Sequence, residues 1–150
     1  MSSDDRDALM DAVEPFAQQM LQKYRGFHPI GATMNHDGKI SLAAALEGQE
    51  NPTPQEIIDR LMAAFRNQAS AGEIRACVVC YDGRVVRPGK TRMSDAICTY
   101  FEHESGGASR VFLPYSRGLL GRVKYEAWFA CKEDCQVFVG GTRREPIGDP

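Results

Sequence analysis

Between Asp4 and Tyr24 the apolar residues Leu9, Val13, Phe16, Met20 and Tyr24 recur every three or four positions, which predicts an amphipathic helix with a single apolar stripe. Pro15 falls inside this pattern and removes a backbone donor, so a kink, or a helix that begins near Glu14, is expected there. Gly26 supplies the stop. The pattern then changes to alternation. His28 to Met34 and Lys39 to Leu46 flank Asn35-His36-Asp37-Gly38, and an Asp-Gly pair between alternating segments predicts an antiparallel hairpin. In its second strand Ile40, Leu42, Ala44 and Leu46 share the core-facing side.

Asn51-Pro52 breaks the chain, and Thr53-Pro54-Gln55-Glu56 carries the residue types of a capping box with proline at the first helical position. A second helix therefore starts at Thr53, with Ile57, Ile58, Leu61, Met62, Ala64 and Phe65 on its apolar face and Gly72 just past its end. Branched and aromatic residues dominate Arg75–Tyr81, Ala96–Glu104, Arg110–Tyr115, Val123–Cys131 and Gln136–Val139, separated by polar or glycine-containing turns. The order α-β-β-α-β-β-β-β predicts an α+β fold. It is expected to be one domain over residues 1–150, with an antiparallel sheet of five or six strands and both helices on one face. The expected core is Val13, Phe16, Met20, Ile40, Leu42, Ile58, Leu61, Phe65, Val78, Ile97, Phe101, Phe112 and Phe129. Read as one strand, Val123–Cys131 places Tyr125, Ala127 and Phe129 on one side and Trp128 and Ala130 on the other. A second apolar sheet face would then need a cover, from the chain termini, from another protein or from a second copy in a homodimer, the last two being expected.

Charge narrows the function classes. The chain has 150 residues, 18 basic and 20 acidic, with 7 basic and 11 acidic residues in positions 1–75 and 11 basic and 9 acidic in 76–150. That balance argues against bulk nucleic-acid binding but allows a partner to be steered onto one face. No apolar run approaches the ~20 residues of a membrane span, and the acidic start Met-Ser-Ser-Asp-Asp differs from a secretory signal, so a cytoplasmic location without membrane attachment is expected. Five cysteines are then expected as thiols.

The candidate chemistry is sparse. Cys77 and Cys80 have redox or zinc spacing, but within a strand they face opposite sides of the sheet. Cys131 and Cys135 bracket a turn and could come close enough for a disulfide or half a metal site, but structural thiols are expected in a reducing compartment. Asp95, Glu102 and His103 gather carboxylates around an imidazole, as a general base or a ligand site would need. Alternation nevertheless turns His103 away from Glu102 and Glu104. Arg84, Arg87, Lys90 and Arg92 concentrate positive charge in one connection, which could contact an acidic protein surface or nucleic-acid phosphates, or serve as a solvated loop that keeps a sheet edge from aggregating. Trp128 is a candidate contact residue. No phosphate loop, nucleophile elbow or His-x-x-x-His spacing is present, so no catalytic residue, cofactor or metal is assigned.

Phe27-His28-Pro29-Ile30-Gly31, Asp37-Gly38-Lys39-Ile40, Arg75-Ala76, Ser94-Asp95-Ala96-Ile97, Phe101-Glu102-His103 and Leu113-Pro114-Tyr115 together resemble a pattern in small, functionally uncharacterised bacterial proteins. The resemblance implies a stand-alone bacterial cytoplasmic α+β domain and no particular activity. A non-catalytic protein-binding module of adaptor, chaperone-like or toxin-neutralising type is the leading expectation. The alternative is a small-molecule binding protein or enzyme with a pocket between helices and sheet.

Overall fold

Leu9, Val13, Ala17 and Leu21, spaced by four, are completely buried and anchor helix α1 (Ser2–Lys23) to the sheet in a computed structural model that describes residues 2–44 and 51–138. The stripe differs from the expected one. Phe16 is 40% and Tyr24 55% exposed, because the row containing the small Ala17 is the one that lies against the strands. The helix also runs through Pro15, which is exposed, so the carbonyl left without its usual donor lies on the side that water reaches.

Strands β1 (Ile30–Met34) and β2 (Ile40–Ala43) pair antiparallel, Met34 opposite Ile40. The hairpin uses Gly38 at φ 86°, and the Asn35 side chain accepts from the Asp37 and Lys39 amides. Leu42 is 59% exposed, which corrects its place in the expected core: it lies on the outermost strand of the sheet. Leu46 lies outside the described residues. Helix α2 (Pro54–Ser70) has the full capping box, Glu56 N–H donating to Thr53 Oγ1 (3.1 Å) and Thr53 N–H to Glu56 Oε1 (2.8 Å).

The rest of the sheet is β3 (Ala76–Val86), β4 (Met93–His103), β5 (Ala108–Arg117), β6 (Val123–Tyr125) and β7 (Phe129–Lys132). Seven antiparallel strands run β2-β1-β3-β4-β5, with β6 and β7 both on the outer side of β5. The class and the element order are those expected, with one strand more. Of the expected strand Gln136–Val139, residues 136–138 form none of the sheet's strands, and Val139 lies outside the described residues.

The helices do not share a face. Ala76, Val78 and Cys80 pack with Leu9, Val13, Ala17 and Leu21 of α1, whereas Cys77 and Val79 pack with Ile57, Leu61, Met62 and Phe65 of α2. Each strand position that is buried on both sides requires a layer on both sides, so the sheet is a filling between two helices. The second face therefore has its cover within the chain. A homodimer no longer follows from an uncovered sheet face.

The stretch expected as one strand over Val123–Cys131 is interrupted. Tyr125 pairs with Tyr115 and Phe129 with Phe112, so three residues, Glu126 to Trp128, stand opposite two, Leu113 and Pro114. This is a bulge, placed where Pro114 has no N–H to give to a ladder. The extra residue flips the alternation. Tyr125 stays on the α1 side, while Phe129 turns to the α2 side and stacks on Phe112 at 5.1 Å.

Phe65→Ala should destabilise the fold by about 3–5 kcal/mol, since Phe65 is 1% exposed, while Leu42→Ala should stay within ~0.5 kcal/mol. Urea denaturation of both variants checks this, and equal losses would contradict the assigned core.

Candidate functional site

The expected cluster of Asp95, Glu102 and His103 does not form. Asp95 and His103 lie at opposite ends of β4, eight residues apart and hence about 26 Å along the strand. Glu102 and His103 face opposite sides of the sheet, as alternation requires.

Glu102 is completely buried on the α2 side and its carboxylate is fully occupied. Oε1 accepts from Tyr100 Oη (2.5 Å) and the Gln136 amide (2.7 Å), and Oε2 from the Val137 (2.8 Å) and Phe138 (2.6 Å) amides. Three successive backbone N–H groups thus wrap one anion, a charge-assisted arrangement that pins residues 136–138 across the sheet and seats Val137 in the core. The Asp134 carbonyl, 3.0 Å from the Tyr100 hydroxyl, shares that one proton as a longer, second acceptor. Burial, and then the bond to Glu102, holds the Tyr100 phenol protonated far above the usual range.

His103 is committed as well. Its Nδ1 accepts from the Ser105 amide (3.1 Å), so Nε2 carries the proton and donates to Asp5 Oδ2 (2.8 Å). Asp5 also takes a two-pronged contact from Arg75, Nε to Oδ2 at 3.1 Å and Nη2 to Oδ1 at 3.0 Å. The group ties the first turn of α1 to β4 and to the entry of β3. Burial opposes ionisation of Asp5, but the bonds from His103 and Arg75 outweigh it and hold the carboxyl below its ordinary 3.8.

The thiols Cys77, Cys80 and Cys98 are buried, and burial pushes Cys80 up to about 12 and Cys98 to about 11. These thiols are packing groups. Cys77 and Cys80 belong to opposite cores, as expected from their spacing. Cys131 Sγ lies 3.7 Å from Glu133, and Cys135 Sγ donates to the Gly106 carbonyl (3.3 Å). Among the described residues no group of three or more histidine, cysteine or acidic side chains could hold a metal ion.

The remaining sequence candidates lie elsewhere. Asp82-Gly83, directly after the expected strand Arg75–Tyr81, is itself strand: Gly83 pairs with Ala96, and the β3–β4 ladder extends to Val86 opposite Met93. Arg84 approaches Asp95 at 3.8 Å and Arg87 approaches Glu126 at 3.8 Å. The basic connection is therefore a tight hairpin tip at residues 87–92. Antiparallel register sets the β5–β6 tip, residues 118–122, at the same end of the sheet. That second tip carries Arg117, Arg122 and Lys124, and its Leu119 and Leu120 are 101% and 98% exposed. The Arg117 guanidinium caps the end of α1 by donating to the Leu21 (2.7 Å) and Tyr24 (2.8 Å) carbonyls, which fixes the tip to the helix. Sequence reading missed the second tip. Gly118-Leu119-Leu120-Gly121 was its signal, an apolar pair inside a turn, where burial is impossible.

Clefts lie on both sides of the sheet. On the α2 side a polar cleft of about 370 Å³ is lined by residues including Asp59, Arg66, Tyr81, Tyr100 and Arg110. Arg110 is engaged there with Tyr81 Oη and with Glu133 (3.1 Å), and it lies 5.3 Å from the Tyr100 ring centre. This cleft includes none of Asp95, Glu102 and His103. On the α1 side a cleft of about 220 Å³ is lined by Arg6, Asp7, Met10, Asp11, Glu14, Val111, Leu113 and Trp128. The bulge places Trp128 at its edge, 61% exposed.

Comparison with known proteins finds no matching family model, curated protein or solved structure.

Two outcomes check the assignments at Glu102 and Asp5. Glu102→Gln puts an amide donor against backbone N–H groups and should cost about 3 kcal/mol in urea denaturation; a neutral effect would contradict the carboxylate's anchoring role. Asp5 titrates lower when folded than when unfolded, so its contribution is complete above the ordinary carboxylate range and is lost as pH falls through the lower folded value. The wild-type urea midpoint should drop more steeply below pH 3.8 than that of Asp5→Asn, and parallel curves would refute the shift.

Proposed function

We propose that this protein is a non-catalytic protein-binding module, of adaptor, chaperone-like or toxin-neutralising type, acting in a bacterial cytoplasm. Its docking surface in this reading is the end of the sheet where the β3–β4 and β5–β6 tips meet. The observation that carries the reading is the pair of fully exposed leucines, Leu119 and Leu120, set among Arg84, Arg87, Lys90, Arg92, Arg122 and Lys124 at one end of a rigid sheet. Val86 and Met93, 44% and 55% exposed, extend the apolar part.

Apolar side chains ringed by cations suit a partner with an acidic rim around an apolar pocket. Burial of each leucine would contribute roughly 1.5–3 kcal/mol, while the charges set orientation and encounter rate. The committed state of Glu102, His103 and the buried thiols supports the reading, since each already serves the fold.

The protein should bind immobilised poly-glutamate at low salt despite its net charge of −2. Arg84→Glu combined with Arg92→Glu and Arg122→Glu should abolish retention while lowering the melting temperature by only about 2–4 °C, the cost of setting like charges opposite each other at positions 84 and 95. Photocrosslinkers at positions 93 and 119 should capture an acidic protein that the same group at position 42 does not. Unchanged retention of the triple variant would overturn the assigned surface.

A further inference from the structure

The cleft beside Trp128 lies away from the basic tips and has the opposite charge. Along α1, Asp7, Asp11 and Glu14 follow one another at spacings of four and three, so all three face the same side of the helix. Asp7 has Arg6 4.0 Å away, but no basic side chain among the described residues pairs with Asp11 or Glu14. The floor between them and the indole is apolar, formed by Met10, Val111 and Leu113. Glu14 is half-buried, and burial, then the nearby Asp11, raises its carboxyl above the ordinary range, which is the state of an anion short of a counter-charge.

We infer that this cleft takes a lysine or arginine side chain from a basic segment of a partner protein. The alkyl stem lies along Met10, Val111 and Leu113, and the cationic head sits between the Trp128 indole and the carboxylates of Asp11 and Glu14. The chemistry fits at each point. An indole is the strongest aromatic partner for a cation, an apolar floor matches a methylene stem, and the carboxylates supply the charge. The bulge at Glu126–Trp128 is what brings the indole to the acidic face of α1. This inference is independent of the basic docking end, because it concerns different residues and a partner segment of opposite charge.

Trp128 is the chain's single tryptophan, so its fluorescence reports on this cleft alone. The full-length protein is titrated with octalysine and octaarginine peptides, acetylated and amidated, and with octaglutamate. Both cationic peptides should produce a saturable change in Trp128 emission, and octaglutamate none. Asp11→Asn combined with Glu14→Gln should weaken the cationic peptides by about tenfold or more, and Trp128→Leu should do so by calorimetry. The control variant Arg84→Glu/Arg92→Glu/Arg122→Glu should leave the response intact, which separates this cleft from the basic end. Absence of a Trp128 response to both cationic peptides, or equal affinity in the Asp11/Glu14 variant with its melting temperature unchanged, would overturn the inference.

Discussion

Burial of Ala76 to Cys80 on both sides of one strand is the constraint on which the rest of the molecule depends. Five consecutive buried residues cannot be served by a single helix, because successive side chains point opposite ways. Val78 and Cys80 fix where α1 lies, and Cys77 and Val79 fix where α2 lies. With both faces of the central strands occupied, the surfaces left for recognition are the ends of the sheet and the clefts beside the helices. The exposed tips and the Trp128 cleft are found there.

Buried polar groups then hold the layers in register. Asp5 joins α1 to β4 through His103 and to the start of β3 through Arg75. Glu102 does the same on the other face for residues 136–138. A carboxylate of this kind is costly to bury alone and becomes favourable only when every lone pair is met, which is why its donors come as a run of backbone amides. The same economy explains the imidazole: with one ring nitrogen held by the Ser105 amide and the other by Asp5, it orients elements of the fold.

Much of this was legible in the chain. The Asp37-Gly38 hairpin, the Thr53 cap and the opposed faces of Cys77 and Cys80 follow from local chemistry and appear as expected. The two-sided sheet had its signal too, in the unbroken apolar run Ala76-Cys77-Val78-Val79-Cys80, where a strand with one wet face would have alternated, but the expectation of both helices on one face passed over it. The bulge was not legible in its own strand, because its cause lies across the ladder at Pro114. Nor were the distant partners of Glu102 and His103, the amides of residues 136–138 and the Asp5 carboxylate, since they lie 34 to 98 positions away. Among the candidate site residues, local pattern placed Arg84 and Arg87 near their eventual surface, but the adjacent leucine tip required the register of β5.

Native-state amide hydrogen exchange followed by NMR tests the two-sided sheet most directly. If β3 clamps both helices into one cooperative unit, amides of Val78, Val79, Leu21 and Phe65 should exchange only through global unfolding, with equal free energies and equal urea dependence. The tips at residues 87–92 and 118–122 should exchange orders of magnitude faster. Exchange of α2 through a separate opening that leaves α1 and β3 protected would contradict the account.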